Sequence, residues 1–72
     1  MAEENALIER IASRLRKARH AKQRTQAELA QKAGISETYY AQIERAKKNP
    51  SITVFLGIIE ALGVSSKDIL GR

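Results

Sequence analysis

Seventy-two residues make one small domain, numbered 1–72; a chain of this size buries only about 60% of the surface its unfolded form exposes, so its stability margin is thin. With no cysteine and a single histidine, His20, the chain has no disulfide framework, no thiolate and no soft-ligand set for a metal, and no cofactor is expected. Thirteen Lys and Arg against eight Asp and Glu leave a net charge of +5, which points to a polyanionic partner.

The N-terminal MAEENALIER lacks the basic-then-apolar order of a signal peptide, and no apolar run approaches a membrane span. A soluble, cytoplasmic protein is therefore expected. Residues 1–4 are expected to fray. From about Asn5, which can cap a helix, Leu7, Ile8, Ile11, Leu15 and Ala18 recur at spacings of three and four, predicting a helix that stops near Lys22. Residues 10–24 carry seven bases (Arg10, Arg14, Arg16, Lys17, Arg19, Lys22, Arg24) and no acid. Such a run can be simply a solvated face. The stretch TQAELAQKAGISETYYAQIER, residues 25–45, reads as two short helices joined by a tight turn. Thr25 and Glu28 have the spacing of a capping box. Leu29, Ala30 and Ala33 form a buried stripe, Gly34 suits an exit with positive φ, and Ser36 can cap a second helix from Glu37 to about Arg45. Two helices meeting across such a turn form a helix-turn-helix, which presents its second helix to a groove. In that second helix Tyr40 and Ile43 point to the core, while Glu37, Thr38, Tyr39, Ala41 and Gln42 point away.

The loop from Ala46 to Pro50 is short and basic; Pro50 forbids helix at Asn49, and Ser51 can cap the next helix. In Ile52 to Leu62 one arc (Ile52, Phe55, Leu56, Ile59, Leu62) is expected to face the core. A second arc adjoins it (Val54, Ile58, Ala61), and Thr53, Gly57 and Glu60 fill the polar sector. Gly63 ends that helix, and Ser65 with Asp68 begins a last short turn holding Ile69 and Leu70. The sequence thus predicts five helices, with no strand signal, repeat or linker.

In order and spacing, Gln26, Glu28-Leu29-Ala30, Ala33-Gly34-Ile35-Ser36, Ile43-Glu44-Arg45, Asn49-Pro50-Ser51 and Leu62-Gly63-Val64 resemble the phage-repressor (Cro/C1-type, Xre-like) helix-turn-helix DNA-binding family, over roughly residues 8–70. The resemblance implies an all-α, compact five-helix lambda-repressor-like domain. It implies a sequence-specific regulator of transcription that binds a palindromic promoter operator in double-stranded DNA as a homodimer. Short members of the family include phage repressors, controller proteins of restriction–modification systems and antitoxins; SETYYAQIER and KNPSI are reminiscent of the controller proteins. RNA polymerase and a cognate toxin are the further partners implied. The sequence departs from the family at Gln23 and Ala46, where glycine is usual, and at Arg24, where an apolar residue is usual. A left-handed Gln23 would cost about 1 kcal/mol, and Arg24 would have to lay its stem over the core with its charge outward.

By the same resemblance Glu37, Thr38, Tyr39 and Gln42 are the base-facing positions and Gln26 clamps the DNA backbone. Gln42 can pair with adenine, Thr38 can meet the thymine methyl, and Glu37 can accept from cytosine while repelling misplaced phosphates. Tyr39 can touch the DNA or pack. Gln26 opens a helix whose N–H groups and positive dipole end favour a phosphate. Arg45, Lys47, Lys48 and Asn49, with Arg24, would grip the strand, although any one lysine can be merely solvated. With three aromatics there is no stacking platform for single strands. Val54, Ile58 and Ala61, with Ile69 and Leu70, are either a self-association face or a broad core contact with the first helix. The rival is a protein-interaction module, such as an antitoxin, on the same fold. An enzyme is not expected, because no paired carboxylates, metal cluster, nucleophile–base pair or glycine-rich phosphate loop is present.

Overall fold

The computed structural model describes the backbone of residues 2–71 and the side chains of residues 5–71. Five helices follow one another: α1 (Ala2–Ala21), α2 (Gln26–Ala33), α3 (Glu37–Glu44), α4 (Ile52–Leu62) and α5 (Ser66–Leu70). No strand occurs among the described residues. Helix α1 begins at Ala2, so residues 2–4 belong to it and Asn5 lies inside it rather than capping it; Met1 lies outside the described residues. At 20 residues it spans about 30 Å.

Local chemistry sets the remaining helix starts. Thr25 and Glu28 close a reciprocal capping box, with Thr25 N donating to Glu28 Oε1 at 2.8 Å and Glu28 N to Thr25 Oγ1 at 3.1 Å. Ser36 and Ser51 accept from Tyr39 N and Val54 N, and Ser65 with Asp68 forms a second box. Gly34 ends α2 at φ 75°. Gly63 and Gly71 turn likewise after α4 and α5, and two further positions in the left-handed region carry side chains: Gln23 at φ 56° and Ala46 at φ 60°. Both are positions where the sequence departs from the family glycine.

The core joins all five helices through Leu15, Leu29, Tyr40, Ile43, Ile58 and Ile69, each fully buried. Ile35 plugs the turn between α2 and α3 against it. Helix α4 is rotated from the expected setting. Phe55, Ile58, Ile59 and Leu62 are buried, whereas Ile52 and Leu56, expected inside, are 69% and 52% exposed. Gly57, expected in the polar sector, faces α2: a Cβ there would lie 3.6 Å from the Ala33 carbonyl oxygen. Helix α4 is apolar over two adjacent arcs, so periodicity leaves its facing open and packing against the other helices decides it. Two assignments to a self-association face are corrected in consequence. Ile58, at 0% exposure, and Ile69, at 1%, belong to the core of the single chain and have no surface to offer a partner. Val54, Ala61 and Leu70 are half-buried against that core.

Arginines of α1 close the far ends of other helices. Arg14 NH1 donates to the Ile69 carbonyl at 3.2 Å and Arg16 NH1 to that of Glu44, placing cations at the negative ends of α5 and α3. Substituting Ala46→Gly or Gln23→Gly is expected to stabilise the fold by about 0.5–1 kcal/mol each, relief of left-handed strain being partly offset by a freer unfolded chain. The effect should appear as a higher urea midpoint at unchanged slope; a lower midpoint would contradict the strain.

Candidate nucleic-acid interface

The outward edge of α3 is most open at its first turn, where Ser36 hands the chain into the helix. Glu37 and Thr38 are exposed, while Tyr39 and Gln42 are half-buried, with Tyr39 resting against the core. Ala41, expected outside, is half-buried as well. A base edge would therefore meet Glu37 and Thr38 first, with parts of Tyr39 and Gln42 behind them. After α3 the chain turns through left-handed Ala46, with Lys47 N donating to the Gln42 carbonyl at 2.8 Å. This turn throws Arg45, Lys47, Lys48 and Asn49 into solvent beside the helix they follow. Arg24 is exposed too, its guanidinium 3.9 Å from Glu28, so its charge points outward and is shared with a neighbouring carboxylate.

Gln26 stands at the first turn of α2, half-buried, and its amide is engaged: Nε2 donates to Glu44 Oε1 at 3.1 Å. Glu44 is the one buried charged residue among those described, at 1% exposure. Its carboxylate also accepts from Arg19, from Nε at 2.7 Å and from NH2 at 3.1 Å. The remaining arm of Arg19 donates to the Arg24 carbonyl at 2.9 Å, tying the end of α1 to the start of α2. The Tyr40 hydroxyl is buried beside this cluster with no hydrogen-bond partner. Burial, and then the neighbouring Glu44, push its pKa far above the ordinary tyrosine value. Burial alone would raise the Glu44 carboxyl, but the hydrogen bonds from Arg19 and Gln26 outweigh it and hold the group below its ordinary pKa.

The Arg19–Glu44 pair escapes a reading of the basic run as one solvated or phosphate-facing stripe. A faint signal exists. Arg19 follows Leu15 by four on the apolar stripe of α1, and Glu44 follows Tyr40 by four on that of α3, so opposite charges sit where burial is expected. Of the seven bases in residues 10–24, Arg14, Arg16 and Arg19 are committed to contacts within the chain.

The helix-turn-helix family model matches residues 15–69 of the chain. The chain belongs to the helix-turn-helix family. Its similarity extends to the immunity repressor protein of Bacillus phage phi105, with 36% identity over 62 residues, which is 86% of this chain and 43% of that protein. The chain thus spans well under half the length of that relative. An uncharacterised HTH-type transcriptional regulator, y4dJ of Sinorhizobium fredii, is 30% identical over 83% of this chain and 78% of its own length. Among solved structures, the restriction–modification controller protein C.AhdI from Aeromonas hydrophila superposes with a TM-score of 0.85 at 30% identity, covering 89% of this chain and 97% of that one. The clp gene regulator ClgR from Corynebacterium glutamicum gives 0.86 at 34%, covering 89% and 68%. The Cro/C1-type resemblance read from the ordered motifs between Gln26 and Val64 accords with this family assignment, as does the five-helix all-α fold.

The depressed Glu44 pKa makes stability depend on acid. The unfolded chain takes up the proton first, so the contribution is complete above the ordinary carboxylate value of 4.5 and is lost as pH falls through and below it. Glu28, held low by the Thr25 backbone N–H and hydroxyl, adds to the same slope. Urea midpoints should be level above about pH 6 and fall toward pH 3. Glu44→Gln should be less stable at neutral pH and show a flatter fall; an unchanged acid slope would contradict the depressed carboxyl.

Proposed function

We propose that this chain is a sequence-specific double-stranded DNA-binding regulator of transcription that acts in the cytoplasm as a homodimer on a palindromic operator. The observation that carries the reading is the open first turn of α3, with Glu37 and Thr38 in solvent, flanked by the exposed cationic loop Arg45–Asn49. The major groove admits a helix, and a recognition helix reads bases through its N-terminal residues. Thr38 and Glu37 would reach bases first, with Gln42 and Tyr39 completing the contact. Gln26, Arg45, Lys47, Lys48 and Asn49 would hold the two strands, with Arg24 a weaker contributor because Glu28 shares its charge. The similarity to phage repressor and controller proteins supports a role at promoters.

One such helix reads too few base pairs for tight binding, which is why a two-fold pair with half-sites about 34 Å apart is expected. The proposed pairing surface shares only Leu70 with the one the sequence suggested. Ile52 and Leu56 are open on α4, and beside them lies an apolar groove lined by Ile11, Pro50, Phe55 and Leu70. Asn49 reaches the same groove from the phosphate-facing loop. A second copy seated there would bring two cationic loops together at the dyad, in continuity with the DNA surface. No helix among the described residues is long and apolar enough to cross a membrane, so these exposed side chains do not mark a spanning segment.

Selection of bound sequences from a random duplex pool tests the function. A palindrome with half-sites one helical turn apart is expected, and recovery of no consensus would refute the proposal. On the selected duplex, a dimer neutralising about four phosphates per subunit should show a slope of log K against log[salt] of about −7. Gln42→Ala should cost about 1–3 kcal/mol and relax preference at one or two base pairs, whereas Lys48→Ala should weaken all duplexes alike and flatten the slope by about 1 per subunit. Sedimentation tests the pairing surface. Ile52→Glu with Leu56→Glu should give a folded monomer, and persistence of the dimer would place the interface elsewhere. Ile58→Glu should unfold the chain.

A further inference from the structure

Resting on the DNA-binding reading, we infer that Glu44 and Arg19 are positioning residues for operator binding, holding the Gln26 amide in place for a phosphate. An ionised carboxylate only accepts hydrogen bonds, so the 3.1 Å contact to Glu44 Oε1 fixes the Gln26 amide with its nitrogen inward. One N–H of that nitrogen is spent on Glu44. The other, with the backbone N–H groups of Gln26 and Ala27, stays free for an anion, Glu28 N being spent on the Thr25 hydroxyl. Without the carboxylate, the side chain of Gln26 would sample several rotamers and lose that order on binding.

The energetics make a purely stabilising role a poor account of this pair. A buried ion pair seldom improves on apolar side chains of similar volume, because desolvating two charges offsets their attraction. Yet Glu44, 1% exposed, and Arg19, 13% exposed at its side chain, are kept in a domain with little core to spare. What apolar residues could not supply is a fixed acceptor at the point where α1, α2 and α3 converge on Gln26. Arg19 fixes the carboxylate in turn, through two N–H groups on its two oxygens, and its third contact ties down the Arg24 carbonyl just ahead of α2.

The test is a comparison of what Gln26 contributes to binding in two backgrounds, measured as affinity for the selected operator duplex. In the unaltered chain, Gln26→Ala should weaken binding about tenfold per half-site, the usual effect of a hydrogen bond to a charged group. The second background is Arg19→Met with Glu44→Leu, which removes the pair while leaving the net charge unchanged. Such apolar replacements are expected to keep the fold, as urea unfolding would verify. There Gln26→Ala should cost about twofold or less. Should that background not fold, Glu44→Asp keeps the charge but withdraws the acceptor by about one bond length, and the contribution of Gln26 should shrink in the same way. An equal cost of Gln26→Ala in every background overturns the positioning role and leaves the pair structural. If Gln26→Ala costs nothing in the unaltered chain while the operator still binds, the positioning role falls and DNA binding stands. Failure of any duplex to bind would overturn the DNA-binding reading itself, and the positioning role with it.

Discussion

A carboxylate sealed inside a 72-residue domain is the constraint around which the rest is arranged. Glu44 ends α3, yet its partners come from two other places: Arg19 near the end of α1, 25 residues away in sequence, and Gln26 at the start of α2. An unpaired charge at that depth would be intolerable, so the three helices must meet in the one geometry that brings all the donors to it. Apolar contact between Leu15, Leu29, Tyr40 and Ile43 drives the collapse. The ion pair ties the end of α3 to α1, and through Gln26 to the start of α2.

Around this centre the helix ends are closed by side chains rather than by long loops. Serine or threonine oxygens take the leading N–H groups of α2, α3, α4 and α5, and arginines of α1 meet the trailing carbonyls of α3 and α5. A short helix is marginal by itself, and these contacts make up for a small core. They also fasten α1, whose Leu15 already lies in the core, to the ends of α3 and α5.

The sequence is most readable where structure is local. Thr25, Ser36, Ser51 and Ser65 cap where their spacing says they should, and Gly34 turns where only glycine is at ease. Gln23 is left-handed, as its place at the end of the first helix implies. Long-range facts were not legible. The facing of α4 depends on packing against residues far away in the chain, and a helix apolar over two adjacent arcs gives periodicity too little to decide it. So Ile52 and Leu56 were expected inside and lie outside, while Ile58 and Ile69, candidates for an association face, are sealed in. At the site, the exposure of Glu37, Thr38 and the cationic loop followed from helix geometry. The engagement of Gln26 by Glu44 did not, since nothing local in either residue announces the other.

The two tyrosines carry a consequence of their own. The chain has no tryptophan, and Tyr39 and Tyr40 are adjacent in α3, one half-buried on the outward side and the other sealed beside a carboxylate. All of the tyrosine ultraviolet absorption and emission of these 72 residues therefore originates in α3. A change at the outward side of that helix and melting of the core are thereby written into neighbouring chromophores, and the molecule can be followed optically through both without a label.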